Sequence, residues 1–259
     1  MTDAAPELRA TVALACRILA AAGLVKEITG HVSARLPGTE EMLIRCRGED
    51  EYGLRWTSES QIRRLDFAGQ GPGLGERHVA PLELPIHGET YRARPDAGAV
   101  VHAHPPAALL CGLAGLPLHP VFGAFDPESL ELAAAGVPVY PRAVLVDRAD
   151  LAAELLDAMG DASACLMRGH GITVVGRTVE EATVRAIKLE SLARVTWQLA
   201  AAGRTVPDLP ADEVESFIRR SAGGSVIPGG IRYLWRHYAR LADEEAPPPD
   251  APIAGRTPW

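Results

Sequence analysis

Apolar positions Leu8, Val12, Ala15, Leu19 and Ala22 recur at helical spacing and stop at Gly23, which predicts an opening helix. "HVSARLPG" and "EMLIRC" predict two short strands joined through a turn at Pro37-Gly38. "RGEDEYGLRW" is a polar loop carrying an aromatic, and "QIRRLDFAGQGPGLGE" predicts a strand running into a glycine-rich hairpin. "LELPIHGETYRARPD" predicts a short helix ended by Pro95, "GAVVHAHPP" a buried strand, and "PPAALLCGLAG" a helix with proline in its first turn. "VPVYPRAVLV" is extended, "DRADLAAELLDAMG" helical, and "SACLMRGHGITVVG" two strands about a glycine-flanked turn. The segment "TVEEATVRAIKLESLARVTWQLAAAG" is one long helix with a threonine cap and Glu181 three residues on. Beyond Gly203, "VPDLPADEVESFIRR" and "GGIRYLWRHYARLADEEA" predict two short helices. The proline-rich "APPPDAPIAGRTPW" is expected to be disordered or draped on a neighbour. Strands interleaved with helices predict an α/β protein, a three-layer α/β/α sandwich. The expected organisation is one domain over 1–204 and a C-terminal helical extension with its tail over 205–259.

Composition narrows the class without naming a chemistry. The chain has 259 residues, 47% hydrophobic and 23% charged, enough for one sizeable core in an ordinary globular protein. A net charge of −7 argues against a nucleic-acid partner. Four scattered cysteines without CxxC spacing argue against a disulfide framework or a zinc knuckle and fit a reducing compartment. The N-terminus lacks a basic stretch followed by an apolar one. The longest apolar run, Ala107 to Leu118, is too short for a bilayer and contains Gly112 and Gly115. The expected location is the cytoplasm, with no membrane partner. The glycine-rich stretch has neither the GxGxxG nor the P-loop spacing, so it predicts no phosphate cradle.

The histidines carry the chemistry. Successive strand side chains alternate faces, so His102 and His104 share one. Metal–nitrogen bonds of roughly 2.0–2.1 Å need two rings on one face, which i,i+2 spacing delivers. His170 sits in "RGHGI", where Gly169 and Gly171 let the backbone approach another group closely. Glu83 lies upstream, just before a helix. Three imidazoles and a carboxylate suit a divalent cation, Zn²⁺ first, with Mn²⁺, Co²⁺ or Fe²⁺ as alternatives. The bland reading is a pair of histidines hydrogen-bonded to backbone at a strand end. Of the other histidines, His31 and His119 are the expected exceptions to ordinary packing or surface roles.

"GHVSARLPG", "ELPIHGETYRARPDAGAVVHAHPP" and "LMRGHGITVVG" followed by a long helix resemble the class II aldolase/adducin family over roughly residues 7 to 202. The resemblance implies a central, mostly antiparallel sheet. It also implies a homotetramer with active sites between subunits. It places the metal ligands at His102, His104 and His170, with Glu83 as the family's acidic residue, either ligand, acid/base or both. Glu89 is the competing carboxylate and reads as structural; His87 and Tyr91, spaced i,i+4, read as packing or as support for the ligands.

The chain departs from the family's sugar-phosphate aldolases. Where they hold phosphate with a Gly-Asn pair and a Ser-Ser pair, this sequence has Gly30-His31 and Pro81-Leu82. Proline has no N–H and neither residue has a hydroxyl, so phosphate donors are lost. Arg45, Arg47 and Arg55 are candidates to hold a planar carboxylate instead, with surface ion pairs to Glu49, Asp50 and Glu51 as the plainer reading. His119 is a further candidate for lining the pocket. "HPVFGAFDPESLELAAAGVPVYPRAVLV" resembles the family's decarboxylases of dihydroxylated aromatic dicarboxylates. The expected function is therefore a metal-dependent carbon–carbon lyase acting on a small carboxylic acid, a decarboxylase in which Glu83, His31 or Tyr140 returns a proton to carbon. The alternatives are an aldolase on a non-phosphorylated or carboxylated aldol, an iron-dependent oxygenase, and an adducin-like binding module without catalysis.

Overall fold

A computed structural model describes residues 5–205, 207–220 and 229–244. The first half of the chain forms α1 (Ala5–Ala21), β1 (His31–Arg35), β2 (Glu41–Arg45), β3 (Arg47–Gly48), β4 (Ile62–Asp66), β5 (His78–Val79), α2 (Leu84–Ala93) and β6 (Ala99–Ala103). The second half forms α3 (Pro106–Ala114), α4 (Pro127–Ala135), β7 (Val139–Tyr140), α5 (Ala149–Met159), β8 (Ala164–Met167), β9 (Gly171–Gly176), α6 (Val179–Ala201), α7 (Ala211–Arg220) and α8 (Gly230–Glu244). Seven strands make one sheet in the order β4-β2-β1-β6-β9-β8-β7. Its pairings are antiparallel except for β7 with β8.

Alternation along the strands fixes the layers. Val32 and Ala34 of β1, Ala99, Val101 and Ala103 of β6, and Ile172 and Val174 of β9 pack with α1, α3, α6 and α8. Met42 and Ile44 of β2, Val100 of β6 and Val175 of β9 pack with α2 and α5 on the opposite face. That second face also carries a polar column: His31 pairs with His102, and His102 with Thr173, across three adjacent strands. All three are buried. Burying so much polarity costs free energy unless it is hydrogen-bonded or holds a ligand, which marks this end of the sheet as the place to look for function.

Several local expectations are met and others corrected. Thr178 caps α6 by accepting from the Glu181 N–H, as the sequence pattern predicts. The glycine-rich stretch does not return onto β4 as a hairpin strand. It turns at Asp66, whose N–H donates to the Gln70 carbonyl at 2.8 Å, and crosses to β5, which pairs with β3. "VPVYPRAVLV" contributes only the two residues of β7 to the sheet. The helix α4 is additional; its signal was Asp126 as N-cap, followed directly by Pro127. The face of α8 carrying Trp235, Tyr238 and Ala239 packs on the core between α1 and α6, so the chain itself covers it. The proline-rich tail lies outside the described residues.

Candidate metal centre

The strand β6 ends one residue after His102, and the backbone N–H of His104 donates to the Leu24 carbonyl at 2.9 Å. This bond ties the second histidine to the loop that follows α1. The two Nε2 atoms lie 2.9 Å apart, as the i,i+2 spacing requires. His170 arrives from the β8–β9 turn, where Gly169 adopts φ +66 and the His170 N–H donates to the Met167 carbonyl at 3.0 Å. A Cβ at Gly171 would fall 2.2 Å from the Ala103 carbonyl oxygen and 2.7 Å from the His104 ring. Glycine here is therefore what allows the third histidine to meet the other two. Gly171→Ala is expected to push the turn and the His104 ring apart and weaken metal affinity by at least about tenfold, as loss of supporting contacts around metal ligands does. Titration with Zn²⁺ against a competing chelator measures it; unchanged affinity would contradict this account of Gly171.

Glu83 occupies the N-cap position of α2 without a side-chain capping bond, at the end where the helix dipole favours negative charge. Its Oε1 accepts from the Val146 N–H at 3.0 Å. That bond turns Oε2 toward the histidines, 3.2 Å from His102 Nε2 and 3.3 Å from His170 Nε2. One donor atom from each of the four residues lies within 4.8 Å of every other. A tetrahedral ion with bonds of roughly 2.0–2.1 Å needs ligand-to-ligand edges of roughly 3.3 Å, close to these separations. Nε2 of His102 faces both Nε2 of His104 and Glu83 Oε2, and Nε2 of His170 faces the same carboxylate oxygen. Four lone-pair donors converging on one point fit a divalent cation.

Electrostatics agree with a ligand set. Burial opposes charge on the Glu83 carboxylate, but the His102 and His170 imidazoles outweigh it and hold the carboxyl well below the usual range. Burial, reinforced by His102 and His170, lowers His104 to about 3, so it is neutral and able to bind metal at neutral pH. The His31 ring stacks on His102 with centroids 4.9 Å apart, and burial followed by His87 and His102 lowers it well below the ordinary value.

The other candidates separate. His31 adjoins the centre and stays 6% exposed. His87 and Tyr91 stand behind it: His87 Nε2 is 2.6 Å from His31 Nδ1, and Ser33 Oγ is 2.6 Å from His87 Nδ1 and 2.7 Å from the Tyr91 hydroxyl. Ser33 was not singled out in the sequence, although its i,i+2 spacing from His31 puts it on the same face. Glu89 pairs with Arg92 at 2.5 Å on the outer side of α2, a structural role as expected.

Arg45 is not brought to the centre. It lies opposite Ile62 on the α1 side of the sheet, 2% exposed, and its guanidinium pairs with Glu51. Tyr140 is not brought there either. Its hydroxyl lies 3.2 Å from Glu154 Oε2 on α5, and burial together with that carboxylate raises its ionisation above the ordinary value. His119 is half-exposed and faces Asp208 at 3.5 Å. Arg47 lies in β3 opposite Val79. Arg55 lies in the turn Leu54–Trp56, whose Leu54 side chain packs against Gly30 at the entry to β1.

The match extends well beyond these residues. A 3,4-dihydroxyphthalate decarboxylase of Terrabacter sp. (strain DBF63) is 48% identical over 231 residues, 88% of this chain and 94% of that protein. One of Arthrobacter keyseri is 46% identical over 238 residues, 90% of this chain and 94% of its own. An aldolase II superfamily protein from Pseudomonas syringae has the same fold, with a TM-score of 0.79 at 21% identity, covering 94% of this chain and 95% of that one. Residues 10–197, which include all four convergent donors, match the profile of the class II aldolase and adducin N-terminal domain, and the chain belongs to that family.

Proposed function

We propose that this chain is a divalent-metal-dependent decarboxylase of a dihydroxylated aromatic dicarboxylate of the 3,4-dihydroxyphthalate kind. The observation that carries the reading is Glu83 Oε2, placed 3.2–3.3 Å from two of three convergent histidine nitrogens. It can complete a metal site and also exchange a proton with a substrate held there. The relatives at 46% and 48% identity support the substrate class. Pro81-Leu82 beside Glu83 supports a carboxylate over a phosphate, because proline brings no N–H and neither side chain a hydroxyl.

His102, His104 and His170 would hold the ion, with Glu83 as a fourth ligand only while no substrate is bound, and Zn²⁺ suits three nitrogens and a carboxylate. The ion supplies Lewis acidity toward adjacent substrate oxygens. Glu83 Oε2 takes the proton of a substrate hydroxyl. Glu83 delivers that proton to the ring carbon bearing the carboxylate; the bond from this carbon to the carboxylate then breaks, CO₂ leaves, and the electron pair returns to the ring and its phenolate oxygen. The product phenolate regains a proton from water. Arg47 and Arg55 are proposed to hold the second carboxylate, on the two-point fit of a guanidinium to a carboxylate alone. The protein is proposed to be a cytoplasmic homotetramer with the site between subunits. Its free, buried cysteines support the compartment, and exposed Leu82 next to Glu83, with Tyr52 and Trp56, offers apolar surface for the interface. No helix among the described residues is long and apolar enough to cross a membrane.

Holoenzyme given 3,4-dihydroxyphthalate is expected to release one CO₂ per dihydroxybenzoate formed. Aldehyde release from aldols without CO₂ release would instead establish an aldolase, oxygen uptake an oxygenase, and no turnover of any of these a binding module.

A further inference from the structure

The buried chain Tyr91–Ser33–His87–His31 has a direction, and hydrogen counting fixes it. The links are 2.7 Å from the Tyr91 hydroxyl to Ser33 Oγ, 2.6 Å from Ser33 Oγ to His87 Nδ1, and 2.6 Å from His87 Nε2 to His31 Nδ1. Tyr91 is 1% exposed, Ser33 and His87 0%. In one polarity Tyr91 donates to Ser33, Ser33 to His87 Nδ1, and His87 Nε2–H to His31 Nδ1. All three links are then filled, and the proton of His31 sits on Nε2, on the ring that stacks on His102. In the other polarity His31 Nδ1–H donates to His87, His87 to Ser33, and Ser33 to Tyr91. The phenol proton then loses its Ser33 acceptor inside the core. A doubly protonated His87 or His31 turns Ser33 round in the same way and orphans the same proton. Leaving a buried hydroxyl unmatched favours the first polarity by roughly 5- to 150-fold.

We propose that Tyr91, Ser33 and His87 are positioning residues that hold His31 as its Nε2–H tautomer, so that His31 faces the metal centre as a neutral hydrogen-bond donor to a substrate oxygen. This rests on the decarboxylase reading for the substrate, while the tautomer itself does not depend on it. His31 in this role moves no proton. It binds the oxygen on which charge gathers as CO₂ leaves, and proton exchange stays with Glu83. A neutral imidazole acting as electrophile beside a carboxylate base divides the labour in a known way.

The test is spectroscopic first. In zinc-loaded enzyme labelled with ¹⁵N-histidine, the His31 signals, assigned by their loss in His31→Gln, are expected to show the proton on Nε2. Ser33→Ala removes the donor to His87 and is expected to bring the two tautomers to comparable populations. Tyr91→Phe, which leaves the serine hydroxyl in place, is expected to shift them less. Zinc content of about one ion per chain in each variant shows that the fold and the centre persist. With 3,4-dihydroxyphthalate, kcat of Ser33→Ala is expected to fall about tenfold or more with KM changed less than threefold, and His31→Ala to lose about 10²–10³ in kcat, as removal of one preorganised donor does. An Nδ1–H tautomer in the unmodified enzyme, or no change of tautomer in Ser33→Ala, overturns the proposal. If the tautomer result holds and no CO₂ is released, the decarboxylase reading fails and the positioning chain stands.

Discussion

Stripping the divalent ion with a chelator is expected to lower CO₂ release by about 10³-fold or more, and one equivalent of Zn²⁺ per chain to restore it. The magnitude follows from the several kcal/mol that a Lewis acid contributes at developing negative charge, at 1.36 kcal/mol per tenfold. His102→Ala combined with His104→Ala should give the same loss without recovery, because these two Nε2 atoms, 2.9 Å apart, are the pair proposed to chelate the ion. Metal analysis by atomic emission, paired with the assay, checks both. The ion should also stabilise the fold, by about 2.7 kcal/mol at a hundred times its dissociation constant. The stripped protein should therefore melt at a lower temperature. Full activity after complete metal removal would refute the mechanism proposed for this site.

Glu83→Gln is expected to keep close to one ion per chain under excess zinc and yet lose about 10²–10⁴ in kcat, the range for a missing general acid–base group. The substitution is mild for the fold. The amide oxygen of glutamine can still accept from the Val146 N–H that orients Glu83. What it lacks is the capacity to take and return a proton at Oε2. Were Glu83 a ligand and nothing more, excess zinc would restore the rate. Measuring zinc occupancy and kcat on the same preparation separates the two roles that the sequence left joined.

The centre itself was legible because its ligands obey short-range rules. His102 and His104 meet because strand side chains two apart share a face. The closeness of His170 was announced by glycines on either side, and Gly171 proves to be where the backbone lies too near Ala103 and His104 for any side chain. Glu83 was legible through the family resemblance, which makes this carboxylate, just before α2, the acidic residue of the site. The arginines were not legible in the same way. Arg45 and Arg47 stand i,i+2, but β2 ends between them, so Arg45 turns to Glu51 on the α1 side while Arg47 enters the small β3–β5 sheet. Tyr140 was judged by its type, and its partner, Glu154, could be known only once α5 was docked.

The sequence by itself therefore determined most of the element order, apart from α4 and the path after β4, the two-faced character of the strands, the placing of His102 and His104 on one face, and the family. Each of these depends on residues a few positions apart or on a pattern spread over most of the chain. Only the tertiary structure decided that β1 pairs with β6 in the register that sets His31 beside His102. Only it placed α2 so that His87 and Tyr91 reach Ser33, and the 145–146 segment so that the Val146 N–H aims Glu83. The physical reason is one of range. Alternation and turn chemistry act along the backbone and can be read from it. Hydrogen bonds between groups more than fifty residues apart exist only after the sheet and its helices have packed and excluded water from between them.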